Sequence, residues 1–197
     1  GFVKRYDNPG KQIDFIYDGL SFSPKEYSEL LMKLADEGKI KPDYYSNGGV
    51  VEELENKFAK LLGKESAIFM PTGTLANHIA VRHLANTNRR VIVQEQSHFY
   101  NDSGDCAQTL SGLNLIPTGE NLVEFSLNEV EDIVSKTKTG RVATKVGVII
   151  IETPGRRQHD RLFMYDNQKV ITDYARGNEI KTHLDGARLF VQSVHTN

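Results

Sequence analysis

A chain of 197 residues fits one domain, and a domain of that size buries roughly 70% of the surface its unfolded form exposes. Its 24 Lys and Arg nearly cancel 26 Asp and Glu, leaving a formal net charge of -2, which argues against general attraction to nucleic acid or to an anionic membrane and leaves small molecules as the expected partners. No run approaches the ~18 consecutive apolar residues of a membrane span, the start Gly1-Phe2-Val3-Lys4-Arg5 lacks the apolar stretch of a signal peptide, and the lone Cys106 cannot close an intramolecular disulfide, so a soluble, cytoplasmic protein is expected.

In chain order, Tyr27, Leu30, Leu31 and Leu34 share one helical face, and Val51, Leu54, Phe58 and Leu61 share another, with Gly63 placed to cap the second helix. The pattern then alternates. Apolar Ala67 to Met70 reads as a strand, Leu75 to Leu84 as a helix, Val91 to Val93 as a strand, Asp105 to Leu110 as a short helix, and Leu113 to Ile116 as a strand. A helix follows, opened by the capping box Ser126-x-x-Glu129, then the β-branched run Val146 to Ile151, a helix from about Asn167 to Arg176 stopped by Gly177, and a strand from Ile180 to Leu184. Strands alternating with helices predict a three-layer α/β/α domain with a mostly parallel sheet, whose central strand is apolar throughout because both of its faces are covered. Ligands of such sheets bind beyond the carboxyl ends of the strands.

Three short stretches lie at strand ends. Gly73 and Thr74 follow Pro71-Thr72 and open a helix, where unpaired backbone N–H groups and the helix dipole suit a phosphate. Taken alone, Pro-Thr-Gly-Thr reads first as an N-cap before a core helix. His98, in Ser97-His98-Phe99-Tyr100, has a near-neutral intrinsic pKa suited to proton transfer, although a capping or core histidine has the same appearance. Asp185 ends the last strand beside Gly186, where a carboxylate either caps a turn or holds a proton on a ligand nitrogen, and Arg188 follows three residues later with a planar fork of donors. His183 shares the face of Asp185 by strand alternation and reads as a packing residue. The six histidines show no helical i, i+4 ligand spacing beside a suitable carboxylate, so no metal is expected.

Together these residues resemble the low-specificity threonine aldolases and their β-eliminating lyase relatives, pyridoxal-phosphate enzymes of the aspartate-aminotransferase-like group. The resemblance runs from about Phe15 to about His195 through Asp18-Gly19-Leu20-Ser21, Tyr45, Glu53-Leu54-Glu55, Leu62-Gly63-Lys64-Glu65, Thr72 to Asn77, Ser97-His98 and His183 to Leu189. It implies an N-terminal segment and helix over 1–45, and over 46–197 the N-terminal portion of an aminotransferase-like cofactor domain, incomplete at its C-terminus. It implies pyridoxal 5′-phosphate as cofactor, with Gly73 and Thr74 in the phosphate cup, His98 stacked on the ring and acting as a base, Asp185 on the ring nitrogen and Arg188 on the ring hydroxyl or the substrate carboxylate. It further implies an amino acid substrate, a homodimer or homotetramer, and Tyr45 near a neighbouring subunit's cofactor.

The chain departs from the family at three places. No lysine follows Asp185, whereas the family attaches its cofactor to a lysine a few tens of residues beyond this motif; an N-terminal piece of a longer enzyme is the expectation, and a non-catalytic phosphate-binding remnant the alternative. Where the family carries Glu-Asn-Thr-His, the sequence reads Glu152-Thr153-Pro154-Gly155 and continues into Arg156-Arg157-Gln158-His159-Asp160-Arg161, so His159 is the candidate substitute contact with substrate. Ile16-Tyr17-Asp18-Gly19 replaces Arg-Ser-Asp-Thr and removes a serine associated with the substrate carboxylate. The expected activity is retro-aldol cleavage of a β-hydroxy amino acid or β-elimination.

Overall fold

The computed structural model describes residues 22–196, so Ile16 to Gly19 and the Asp18 to Ser21 motif lie outside the described residues. The chain divides into two compact units, one ending at Phe69 and the other beginning at Met70.

The first unit holds helices α1 (Pro24–Asp36) and α2 (Gly49–Leu62). Pro24 at the first helical position and a reciprocal Ser23/Glu26 capping box start α1 by satisfying first-turn donors. Gly63 ends α2 in the left-handed conformation, φ 61°, as its position predicts. The strand expected over Ala67 to Met70 is absent. A strand needs a neighbour for its ladder, and this segment has none among the described residues: the Phe69 N–H donates instead to the Glu55 carboxylate at 2.7 Å, and Ile68 is 73% exposed.

The second unit carries the sheet. Helix α3 (Gly73–Ala85) leads to strand β1 (Arg90–Gln94), short helices α4 (His98–Asn101) and α5 (Cys106–Ser111), and strand β2 (Asn114–Thr118). Helix α6 (Leu127–Lys138), opened by the predicted Ser126/Glu129 capping box, leads to β3 (Val146–Glu152). Helix α7 (Tyr165–Gly177), β4 (Lys181–Asp185) and α8 (Leu189–Thr196) complete the order. The four strands of the sheet pair in parallel, in the order β2-β1-β3-β4.

Strand alternation sends side chains to two cores. Val91, Val93, Val148 and Ile150 pack with Val81 and Ala85 of α3 and Ala107 of α5 on one face, while Ile92, Ile149 and Ile151 pack with Val130 and Val134 of α6 and Ile171 and Ala175 of α7 on the other. The three-layer α/β/α reading therefore holds. Val146 joins the second core although Val148 joins the first, because the register slips between Arg90/Val91 and Val146/Val148. Gly147 sits at this irregularity, and a Cβ there would lie 2.0 Å from the Asn88 carbonyl oxygen, so only glycine fits.

The strand order reverses direction between β1 and β3. From β1 the chain moves outward to β2, then crosses back through α6 to β3 and onward to β4. Such a switch point opens a crevice at the carboxyl edge, and the segments after β1 and β3 flank it.

Candidate functional site

Two buried strand-end residues organise this edge. Gln94, the last residue of β1, donates through its amide to the Val123 and Glu152 carbonyls at 2.6 and 3.0 Å, and its amide oxygen accepts the Glu152 N–H. Glu152, the last residue of β3, accepts the His98 N–H at 2.6 Å and the Arg156 N–H at 3.1 Å. One carboxylate thus ties together the segments leaving β1 and β3 at the switch point. Burial raises the Glu152 pKa, against the two N–H donors that favour its charge, and neighbouring Asp185 adds to the rise.

Glu152 and Asp185 are register partners, so both side chains lie on the α3 face of the sheet. Asp185 is 6% exposed; its Oδ1 accepts the Ala187 N–H at 3.3 Å, and its Oδ2 accepts from the Asn77 amide of α3 at 2.6 Å. The opening of α3 lies one turn before Asn77. Thr72 is the N-cap, its hydroxyl accepting the Leu75 N–H at 3.1 Å, and the first-turn amides of Gly73 and Thr74 have no partner within the helix. Space beside Gly73 is open, with nothing within 4 Å of where a Cβ would stand. The Thr74 hydroxyl lies 3.5 Å from His98 Nε2, which links the helix opening to the segment after β1.

Arg188 is buried, its Nε 3.6 Å from the Asp160 carboxylate in the loop after β3. That loop is also held by Arg157, which pairs with Asp102 at 3.1 Å. His159 is exposed, with φ 58°; its neighbour Asp160, rather than His159 itself, meets Arg188. Tyr45 belongs to the first unit, 85% exposed, with its ring edge-on to Tyr44.

Of the residues singled out in the sequence, the structure joins Thr74 to His98, and it brings Asp185 to the helix that Gly73 opens. Asn77, Gln94 and Glu152 are the members that sequence reasoning missed. A polar residue on the buried face of α3, and two polar residues closing strands of Val and Ile, were the signals that could have found them.

The arrangement therefore offers anion-binding backbone donors, an imidazole and a buried acceptor carboxylate at the switch point of a parallel sheet, the place where α/β proteins of this class bind small ligands. The beta-eliminating lyase family model matches residues 35–197, and the chain belongs to that family. Over 158 residues it is 25% identical to low-specificity L-threonine aldolase 1 of Arabidopsis thaliana, covering 79% of this chain and 44% of that protein. It is 29% identical over 159 residues to an alanine racemase of Cochliobolus carbonum, covering 75% of this chain and 38% of that protein. A Listeria monocytogenes structure provisionally described as an L-allo-threonine aldolase superposes with a TM-score of 0.71 at 32% identity, over 86% of this chain and 45% of that one. The chain spans about half the length of these relatives or less. The aminotransferase-like fold expected from the resemblance is the fold observed. Among the described residues, no helix is long and apolar enough to cross a membrane.

Proposed function

We propose that the protein binds pyridoxal 5′-phosphate at this edge and, in the whole enzyme, serves as a lyase of amino acids, by retro-aldol cleavage of a β-hydroxy substrate such as threonine or by β-elimination. The observation that carries this reading is that one helix, α3, presents Gly73 and Thr74 at its opening and holds Asp185 through Asn77, in a chain of the beta-eliminating lyase family. Family membership favours it over a non-catalytic phosphate-binding domain.

The residues fit the cofactor. Open space at Gly73 admits a phosphate to the first-turn amides of α3, where the helix dipole favours an anion. Asp185 accepts two hydrogen bonds, and an ionised carboxylate has about four acceptor sites, so capacity remains for a ring N–H. When bound, the cofactor supplies a protonated pyridine ring that takes up the electron pair released at the substrate α carbon.

Asp185 would keep the proton on the ring nitrogen, and its burial would strengthen that attraction. His98 would lie against the ring and would take or return the substrate's proton at Nε2, beside the Thr74 hydroxyl. Glu152 acts at one remove by fixing the His98 backbone. Arg188 would meet the ring hydroxyl or the substrate carboxylate, with Asp160 beside its guanidinium beforehand. His159 and Tyr45 serve the substrate, Tyr45 from a neighbouring subunit of a homodimer or homotetramer, in the cytoplasm. No lysine follows Asp185 in this sequence, and no residue here is given the covalent attachment of the cofactor.

The likeness to an alanine racemase favours a second reaction at the same residues, return of the proton to the α carbon. Protein expressed from the whole gene and incubated with pyridoxal 5′-phosphate separates the two. Glycine and acetaldehyde from threonine mark retro-aldol cleavage, a 2-oxo acid and ammonia from a β-substituted substrate mark β-elimination, and D-alanine from L-alanine marks racemisation. Failure to take up the cofactor at all would end the proposal.

A further inference from the structure

Behind Asp185 lies a second layer of contacts that the reaction does not touch. Asn77, 9% exposed, donates from Nδ2 to Asp185 Oδ2 at 2.6 Å, and its Oδ1 lies 2.9 Å from His183 Nε2. The reverse amide orientation would set an oxygen against a carboxylate at that distance. Asn77 therefore shows its oxygen to His183, and His183 carries its hydrogen on Nε2. Burial pushes the His183 pKa below its usual 6.5, against the pull of the Asp185 charge, so near neutral pH the ring holds a single hydrogen. His183 stands two residues before Asp185 on β4, and Asn77 stands one turn after Thr74 on α3, so the chain of contacts spans both elements that form the site.

We propose that Asn77 and His183 are positioning residues for the cofactor ring: His183 fixes the Asn77 amide, and Asn77 fixes the Asp185 carboxylate so that its remaining acceptor sites serve the ring nitrogen. This rests on the pyridoxal-phosphate reading above. The alternative is that both residues merely satisfy one another in a packed layer and leave ring recognition unchanged.

Two ligands distinguish these possibilities, pyridoxine 5′-phosphate and its analogue with a ring C–H in place of the nitrogen, each titrated by calorimetry against the whole protein. Asn77→Leu is expected to weaken the pyridine ligand roughly tenfold or more while changing the benzene analogue less than about twofold. His183→Leu should show the same selectivity, His183→Gln should restore much of the loss by returning an N–H, and the Asn77→Leu/His183→Leu pair should be no worse than Asn77→Leu alone. Equal losses for the two ligands, or additive losses in the pair, would overturn the relay and leave the cofactor reading intact. No binding of either ligand by the unsubstituted protein would remove the cofactor reading and the relay with it. His183 is only half-buried, so its variants keep the test open if Asn77→Leu does not fold.

Discussion

The middle of the sheet and its carboxyl edge are buried to similar depth but built from opposite materials. In the middle, Val91, Ile92, Val93, Val148, Ile149 and Ile150 are completely covered and offer only dispersion and water exclusion. At the edge, Gln94, Ser97, Glu152 and Asp185 are each under 7% exposed, and each is hydrogen-bonded. Burying a polar group costs free energy unless it is paired, and apolar residues of similar size would fill the same space without that demand. The dry middle holds the fold together, and the polar edge is what the fold is arranged to present.

The contrast can be broken from either side. Asp185→Ala should leave secondary structure in place but lower kcat/KM of the whole enzyme by roughly a thousandfold, since a charged group aimed at the reacting system is worth several kcal/mol. Turnover within tenfold of the parent would remove Asp185 from the chemistry. Ile149→Ala, in the middle, should cost about 2 to 5 kcal/mol in urea unfolding through lost burial and a residual cavity. A loss under about 1 kcal/mol would mean that the core collapses freely around the gap.

Glu152 sharpens the comparison through pH. Its pKa in the folded protein is raised above 4.5, so the folded state holds this proton more tightly than the unfolded chain does. The stability it contributes is present at low pH and is lost as pH rises from 4.5 through the raised value, with a limiting slope of about 1.4 kcal/mol per pH unit. Glu152→Gln should lack that slope, so the difference in urea stability between the two proteins should change across this window and level off above it. A difference that is flat with pH would contradict the assignment. The smallest effect belongs to the solvated surface: Lys136→Ala removes an exposed i, i+4 pair with Asp132 and should alter stability by less than about 0.5 kcal/mol.

Sequence reading reached the middle more readily than the edge. Val146 to Ile151 declares a doubly covered strand by composition, and Ser126-x-x-Glu129 declares a helix start, because both signals are local. Ala67 to Met70 carries the same apolar signal as a strand and is not one, since pairing depends on a neighbour that a local window does not contain. Gly73, Thr74, His98, Asp185 and Arg188 were legible as a set only through family resemblance. The ties made by Asn77 and Glu152 reach 108 and 54 residues along the chain, and no spacing rule announces them. What the sequence did offer was a mismatch, a buried amide on the helix face that also carries Val81 and Ala85, and a carboxylate closing a strand of Val and Ile.

The central claim is that the opening of α3 and the end of β4 form one ligand site. Amide NMR of the protein titrated with pyridoxine 5′-phosphate tests it most directly. Gly73, Thr74, Asn77, His98 and Asp185 should shift together along one saturation curve, whereas inorganic phosphate should move only the Gly73 and Thr74 end. Shifts confined to other regions, or the same pattern from phosphate alone, would contradict it.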